Sequence, residues 1–557
     1  MPALARRLTP LALLLALAGC GSKPAADSPL AYVPADTPYV IANLEPTPQA
    51  VLDQWTAMTK EMLPISLGMY QRALDKIGSA DSTGVKAARA LLDELAQHMA
   101  QGSLAPLGLS GSAHVAIYGI GLLPVMRLEL ADPAALRAAI ARVEAKAGAP
   151  LPLAKLGELE YWSLQADKAV VLMAISGKHL VLSIAPAKAS DELRKQLLGV
   201  TPPKNSLDPA KLEELNKKYG YTKNGSGYVD FVRLTEFLSN DSDPLRIELA
   251  TALGEAAPRP LDPTCKAELG AMAAKLPRLA MGYTELAAKR MTLHAQLEME
   301  AVLAKDFTTA WAGAPGTAGA AEGLFDLAVS LPLLKQKSFW LKQANAVAAK
   351  PWACTQLAEL NQTFAQFKQS LDTTIPPPAS DLTGLRLVIS RFSMDAAKPV
   401  PEFSGKLLLG LTNPGGALAM GQLTLPSLKD LKLLPDGKPV ALPADTIPMV
   451  EAPHAAMNDK ALALSVGAGE EASLAAFLAA APVGEAKFLR VHFTGDMYGQ
   501  FGSLFDKFSA FMPEDQRGDI ESQKQLFAIY QKTIKFVDIS LVANAGGVAF
   551  YETGELK

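Results

Sequence analysis

An internal repeat constrains the fold of this chain more than any other feature. Residues 125–139, VMRLELADPAALRAA, read as an alternating strand entering Asp132-Pro133 and an Ala-rich helical pattern. Residues 177–198, GKHLVLSIAPAKASDELRKQLL, read as a second strand and a second helix. Adding 281 to Leu130, Asp132 and Pro133 lands on Leu411, Asn413 and Pro414. Adding 282 to Lys178, Leu180, Leu182, Ser183 and Ile184 lands on Lys460, Leu462, Leu464, Ser465 and Val466. Two anchors some fifty residues apart keep almost one offset. Further along, residues 272–300 match 529–557 at an offset of 257, and YVDF at 228–231 faces RVHF at 490–493 at 262. The falling offset places about 25 extra residues (282 − 257) in the first copy, most simply in the Pro-, Lys- and Asn-rich loop 201–227.

With 557 residues the chain exceeds one ordinary core. The expected fold class is α+β: two duplicated domains, 31–311 and 324–557, each an antiparallel sheet with helices on one face. AGAPGTAGAAEG at 312–323 reads as a flexible linker. Within the first copy, Ala88, Leu91, Leu92, Leu95 and Met99 predict the buried face of a helix over 85–99. Asp132 as N-cap with Pro133 in the first turn predicts a helix whose buried face is Leu136, Ile140 and Val143. Strands are expected at AHVAIYG, LEYWSLQ, AVVLMAI, HLVLSI and YVDFVRL, and a hairpin at LAMGYTEL and MTLHAQLEME. In the second copy the strand LFDLAVSL and a helix over 355–370 follow the linker.

Residues 1–19 read as an export signal: Arg6 and Arg7, then an apolar stretch from Leu8 to Ala18, too short to span a bilayer. Leu17-Ala18-Gly19-Cys20 has the form of a lipobox, with Cys20 the residue that would be acylated. The alternative is an ordinary signal peptide in which Cys20 is incidental. Cleavage would change the net charge from −3 to −5 (51 − 56). Acyl chains at ~0.8 kcal/mol per buried methylene would hold the protein on a membrane, and residues 20–30 would form the tether. Gly21, rather than Asp, follows the cysteine; by resemblance to proteobacterial lipoproteins this favours the outer membrane, periplasmic side.

PADTP before a strand, the Asp-Pro helix start and the G-K-x-L-V-L-S strand together resemble an uncharacterised bacterial envelope family. Its members are lipoproteins or surface proteins carrying a domain of unknown function, sometimes in tandem. The resemblance covers most of residues 30–300 and more weakly 324–557. Its motifs are turns and core strands, and it supplies no catalytic residues to carry over.

The residues that could carry chemistry are scattered. The histidines, His98, His114, His179, His294, His454 and His492, have no metal-ligand spacing, and ordinary strand or helix positions explain them. LGLSGSAH at 107–114 lacks the spacing of a nucleophile elbow and reads as a turn. GAGEEAS at 467–473 imitates a phosphate loop, but its acidic pair would repel phosphate; a strand-to-helix turn is expected there. Asp93/Glu94 and Glu470/Glu471 read as solvated helix faces. Asn240, Asp241 and Asp243 could approach calcium but lack the rest of a calcium loop, so a helix-ending turn is the better reading. Positive charge forms no long run, which argues against a nucleic-acid partner.

With Cys20 acylated, Cys265 and Cys354 remain, and an oxidising compartment favours a disulfide between them, joining the end of copy one to copy two. Two buried, unpaired thiols are the alternative. The expectation for function is therefore a non-catalytic binding or scaffold module of the envelope. It would need no cofactor or metal, would be anchored by lipid, and would meet an envelope protein or an apolar ligand. A hydrolase with a dispersed active site and a carrier of a lipid or other apolar ligand are the competing readings.

Overall fold

The computed structural model describes residues 27–77, 83–166, 168–252, 254, 261–393, 402–443, 446–447, 450–479, 486–509 and 514–557. The expected signal peptide and Cys20 lie outside them. The fold is α+β, with fifteen helices and nineteen strands among the described residues. The chain divides into two compact units, Met1–Thr56 with Leu74–Pro260 and Ala280–Thr284, and Ala57–Ala73 with Leu261–Leu279 and Glu285–Lys557.

Strands β1 (Tyr39–Ala42), β2 (Val115–Ile120), β3 (Leu123–Glu129), β4 (Leu153–Leu156), β5 (Leu159–Ala166), β6 (Ala169–Ser176), β7 (His179–Pro186) and β8 (Ser226–Asp230) form the antiparallel sheet of the first unit. Their order is β4-β5-β6-β7-β3-β2-β1-β8. With them go helices α2 (Thr83–Ala100), α3 (Pro133–Ala147), α4 (Asp191–Leu198), α5 (Pro209–Tyr219), α6 (Phe231–Ser239) and α7 (Pro244–Ala252), and the two ends of helix α1 (Gln49–Ile77), whose residues 57–73 belong to the second unit.

This sheet is covered on both faces, not on one. Val170, Leu172 and Ala174 of β6 and Val181 and Ala185 of β7 pack with Leu193, Leu197 and Leu198 of α4 and Leu212 and Leu215 of α5. The alternate residues Met173, Ile175, Leu180 and Leu182 pack with Ala87 and Ala90 of α2 and Ile140, Val143 and Ala147 of α3. AVVLMAIS and HLVLSIAP are apolar in both phases of the strand period, which suits a sheet buried on both sides. Each fully buried leucine in such a core is worth roughly 1.5–3 kcal/mol as an upper bound.

Local readings fared unevenly. Asp132 caps α3 by accepting the Ala134 and Ala135 amides at 2.8 and 3.1 Å. Helix α2 exists, but its buried stripe is Val85, Ala87, Ala90, Glu94 and His98, while Leu91 is 57% exposed. The small Ala87 and Ala90 let α2 approach α3 closely, which leaves Leu91 outward and Leu92 and Leu95 half-buried at the margin. The expected loop 201–227 contains α5, started by the Asp208 cap and Pro209 and held by buried Leu212 and Leu215. The strand YVDFVRL stops at Asp230, whose carboxylate accepts the Arg233 amide at 3.0 Å and starts α6.

The second unit holds strands β9 (Arg278–Leu286), in part, and β10 (Arg290–Glu298), β11 (Phe325–Ser330), β12 (Leu382–Ser393), β13 (Glu402–Leu411), β14 (Val440–Ala441), β15 (His454–Asn458), β16 (Ala461–Val466), β17 (Ala486–Thr494), β18 (Ile534–Asn544) and β19 (Gly547–Leu556). Its antiparallel sheet runs β14-β15-β16-β13-β12-β11-β17-β18-β19-β10. The helices are α8 (Pro263–Lys275), α9 (Ala301–Ala310), α10 (Leu333–Ala349), α11 (Ala358–Leu371), α12 (Pro414–Thr424), α13 (Leu474–Ala479), α14 (Gly495–Ser509) and α15 (Glu514–Thr533). Here too the alternate residues of β15 and β16 enter two separate cores.

Residues 312–323 are not a free linker. Ala314 and Thr317 are buried, and the Ala314 amide donates to the Lys487 carbonyl at 2.7 Å. Gly316, at φ +72°, lies against the Arg386 side chain, where a Cβ would collide. Ala314, Gly316 and Gly323 thus serve close packing, while 318–320 are exposed.

Candidate functional site

PADTP, residues 34–38, forms one wall of a cleft of about 790 Å³ in the first unit. The turn closes through the Thr37 amide and the Pro34 carbonyl at 3.1 Å. Arg233 of α6 fixes it from behind, with Nη1 donating to the carbonyls of Ala35 at 2.9 Å and Thr37 at 3.0 Å. Thr37 is buried, its hydroxyl 2.8 Å from the carbonyls of both Tyr39 and Gly119, and it accepts the Gly119 amide at 3.1 Å. The opposite wall is the stretch 201–205, knitted to the turn by the Ala35 amide on the Asn205 carbonyl at 2.9 Å. The α6–α7 junction adds Glu236, Phe237, Asn240, Asp243 and Leu245.

The cleft mixes amide side chains (Gln196, Asn205, Asn240), carboxylates (Asp36, Glu236, Asp243) and Lys204 with apolar Tyr32, Ile120, Pro202 and Phe237. Its most structured polar groups, Thr37 and Arg233, are spent on backbone carbonyls. They hold the shape of the cleft and are poorly placed to move protons. Asn240 and Asp243, considered for calcium, serve turns. Asn240 Oδ1 accepts from the Ser242 hydroxyl at 2.9 Å, and Asp243 Oδ1 caps α7 through the Leu245 and Arg246 amides at 2.9 and 3.2 Å.

Behind the cleft wall lies a fully buried arginine that sequence reasoning missed. The Arg127 guanidinium stacks over the Tyr32 ring at 3.5 Å and donates to the Leu198 carbonyl at 3.1 Å, and it lies 3.3 Å from His179 Nδ1. Burial pushes the Arg127 pKa down. Burial, then the Arg127 charge, pushes His179 down as well, so its imidazole is neutral at pH 7. Gly199, at φ +76°, is the only residue type that leaves room for Arg127 there.

In the second unit the buried charges are paired. Asp326, fully buried on β11, accepts from Arg386 at 2.7 and 3.1 Å and from Arg490 at 2.8 Å. Glu322 joins Arg386 at 3.1 Å and Lys406 at 2.8 Å. Burial alone would lower the Arg386 pKa, but Asp326 and then Glu322 outweigh it and hold it above the ordinary value. Lys406 Nζ also donates to the Ser473 hydroxyl at 2.9 Å. That ammonium is engaged by a carboxylate, which disfavours its acting as base for Ser473.

The remaining candidates fall in separate places. Glu94 is not a solvated carboxylate: it is 2% exposed and accepts from Lys146 at 2.8 Å and Arg142 at 3.0 Å, with His98 at 3.5 Å. His114 pairs with Glu129 at 2.8 Å, His492 with Asp538 at 3.4 Å, and His454 Nδ1 lies 2.9 Å from the Ala452 carbonyl. His294 is buried in β10. Among the described residues no group of three His, Cys, Asp or Glu side chains is arranged to hold a metal ion. Ser110 and Ser112 hydrogen-bond to each other at 2.8 Å in a turn, and residues 467–473 make a strand-to-helix turn. Cys265 and Cys354 are bonded to each other, with Cα atoms 4.6 Å apart. Both belong to the second unit, so the bond is internal to that unit.

The cleft was hidden in the sequence because its walls come from four separated stretches, 32–38, 119–121, 196–205 and 233–245. PADTP was the one visible signal. No family model, curated protein or solved structure matches the chain.

Proposed function

We propose that this chain is a binding module of the bacterial envelope, lipid-anchored through Cys20 on the periplasmic side of the outer membrane, with the PADTP cleft as its ligand site. The observation that carries the reading is the commitment of Thr37 and Arg233 to backbone carbonyls, which builds a fixed, mixed polar and apolar concavity. LAGC at 17–20 supports the anchor, and no described helix is long and apolar enough to cross a membrane. The resemblance to envelope proteins with tandem domains of unknown function supports the same setting.

The domains of this reading are two copies, 31–311 and 324–557, of one ancestral unit. Strand order supports the duplication: β5-β6-β7-β3-β2-β1-β8 and β14-β15-β16-β13-β12-β11-β17 follow one path. So does register, since Val125 faces Ser183, and Lys406 faces Ser465, at the repeat offsets of 281 and 282. Helix ties repeat as well. Cys265 of α8 is bonded to Cys354; the offset of 257 carries Cys265 onto Ser522 of α15, which receives Arg72 at 2.7 Å.

A photocrosslinker in place of Asn205 tests the cleft in intact envelopes. One discrete adduct is expected, absent when Asp36→Trp fills the cleft; an adduct unchanged by that substitution removes the cleft from the reading. For the anchor, Cys20→Ser should release the protein from outer-membrane fractions or leave an unprocessed precursor. The hydrolase reading would rest on Ser473 and Lys406. Labelling by a fluorophosphonate that disappears in Ser473→Ala would favour it.

A further inference from the structure

We infer that the outward face of α12 is a second membrane contact, lying in the interface of a bilayer with anionic headgroups. Helix α12, PGGALAMGQLT, contains no charged residue. Its inner side chain Leu418 packs with Leu428, Leu431 and Leu433. Outward, Met420 is 40% and Leu423 88% exposed, and just beyond the helix Leu425 is 48% exposed. Gln422 Nε2 donates to the Leu431 carbonyl at 2.9 Å and brings the following stretch, with Leu434 at 64% exposure, beside the last turn.

Apolar side chains turned outward as well as inward on an uncharged helix call for a second apolar surrounding, a core or lipid. The contrast with α3 sharpens the point. That helix also starts at a capped Asx-Pro and follows the corresponding strand, yet it carries Arg137, Arg142, Glu144 and Lys146. Exposed Lys429 and Lys432, with Asp430 between them, leave one net positive charge where headgroups would lie. The occupant is lipid rather than a second copy, because a stable dimer needs ~800 Å² per partner and four side chains offer far less. Shallow interfacial binding needs only an apolar wedge entering ~5–10 Å, with cations at its rim. The contact rests on neither the acyl anchor nor the cleft.

The test uses the full chain with Cys20→Ser, so that no acyl group contributes, and a nitrobenzoxadiazole label on Leu423→Cys. Vesicles of phosphatidylethanolamine and phosphatidylglycerol should raise its emission at least twofold and shift it to the blue. Doxyl-labelled lipid should quench it, and adding Met420→Glu should cut the response at least fivefold. The same label on Lys350→Cys should not respond. Three results overturn the inference: a silent label on vesicle-bound protein, protein that does not bind vesicles, and a response that follows protein concentration without lipid. The last assigns the face to a second copy. Met420 and Leu423 are exposed, so the fold tolerates these changes, and an unchanged circular dichroism spectrum checks that.

Discussion

His294 lies flat against Tyr551, ring centroids 4.5 Å apart and planes 15° apart, at directly facing positions of β10 and β19. The repeat offset of 257 carries His294 onto Tyr551 itself. Every facing pair of the two strands, from Arg290 and Glu555 to Glu298 and Gly547, is therefore arranged symmetrically about this one.

The stacked histidine makes a pH prediction. Burial pushes the His294 pKa down to about 4 from an unfolded value near 6.5. Above pH 6.5 both states are neutral and the group has no effect. As pH falls from 6.5 to 4, the unfolded chain takes up the proton and the fold does not, so stability is lost across that window. The loss is about 2–3 kcal/mol. Urea unfolding at several pH values should show it, and His294→Phe should flatten the profile by that amount. An equal slope in both proteins would dismiss it.

Glu94 predicts a second effect. The hydrogen bond from Lys146 comes first, and then Arg142, in holding its carboxyl below the usual range against the opposing cost of burial. Its contribution is present above the unfolded carboxyl pKa and fades as pH falls through the lower folded value. Arg142 and Lys146 are partly exposed and can return to water, so Glu94→Gln should cost about 2 kcal/mol, the scale of lost charged hydrogen bonds. Thermal unfolding at pH 7 measures it, and the difference should shrink at pH 3.

Glu94 also shows where sequence reading runs out. Strands and capped helices were legible because alternation and Asp132-Pro133 are local signals. Which face of α2 turns inward was not, because Ala87 and Ala90 win by closeness to α3 while leucine hydrophobicity points the other way. Helix α1 escaped notice because Pro64 and Gly68 interrupt its pattern. Arg127 and Asp326 carry no local signal that singles them out; that each is buried depends on residues far away in the chain. The cleft has the same origin, a meeting of segments that no local pattern announces.

Asp326 anchors the third prediction. Removing it leaves Arg386 and Arg490 buried around an empty position. Asp326→Ala should cost about 3–5 kcal/mol, as when one partner of a buried pair is lost. By the same logic Arg386→Met together with Asp326→Leu should cost less than Asp326→Ala alone. Denaturant titration of the three proteins decides it, and a more stable single variant would show that the pairs do not constrain this core.

The last prediction concerns Cys265 and Cys354. Both side chains are buried, at 2% and 1% exposure, among Leu357, Leu269 and Trp352. The Glu268 carboxylate accepts the Ala353 and Cys354 amides at 3.0 Å each, so the two segments are fixed to one another independently of sulfur chemistry. That fixation matters, because a crosslink stabilises most when the native geometry accepts it without distortion. The bond spans 89 residues, and the chain-entropy model gives ~4–5 kcal/mol for a loop of that length. The double variant Cys265→Ala, Cys354→Ala should therefore unfold about 3–5 kcal/mol more easily while keeping its native spectrum, since Glu268 and the surrounding apolar side chains remain. Alkylation of unfolded, unreduced Cys20→Ser protein, followed by mass measurement, should find no free thiol. Two labelled thiols would mean that the segments meet through Glu268 and packing alone.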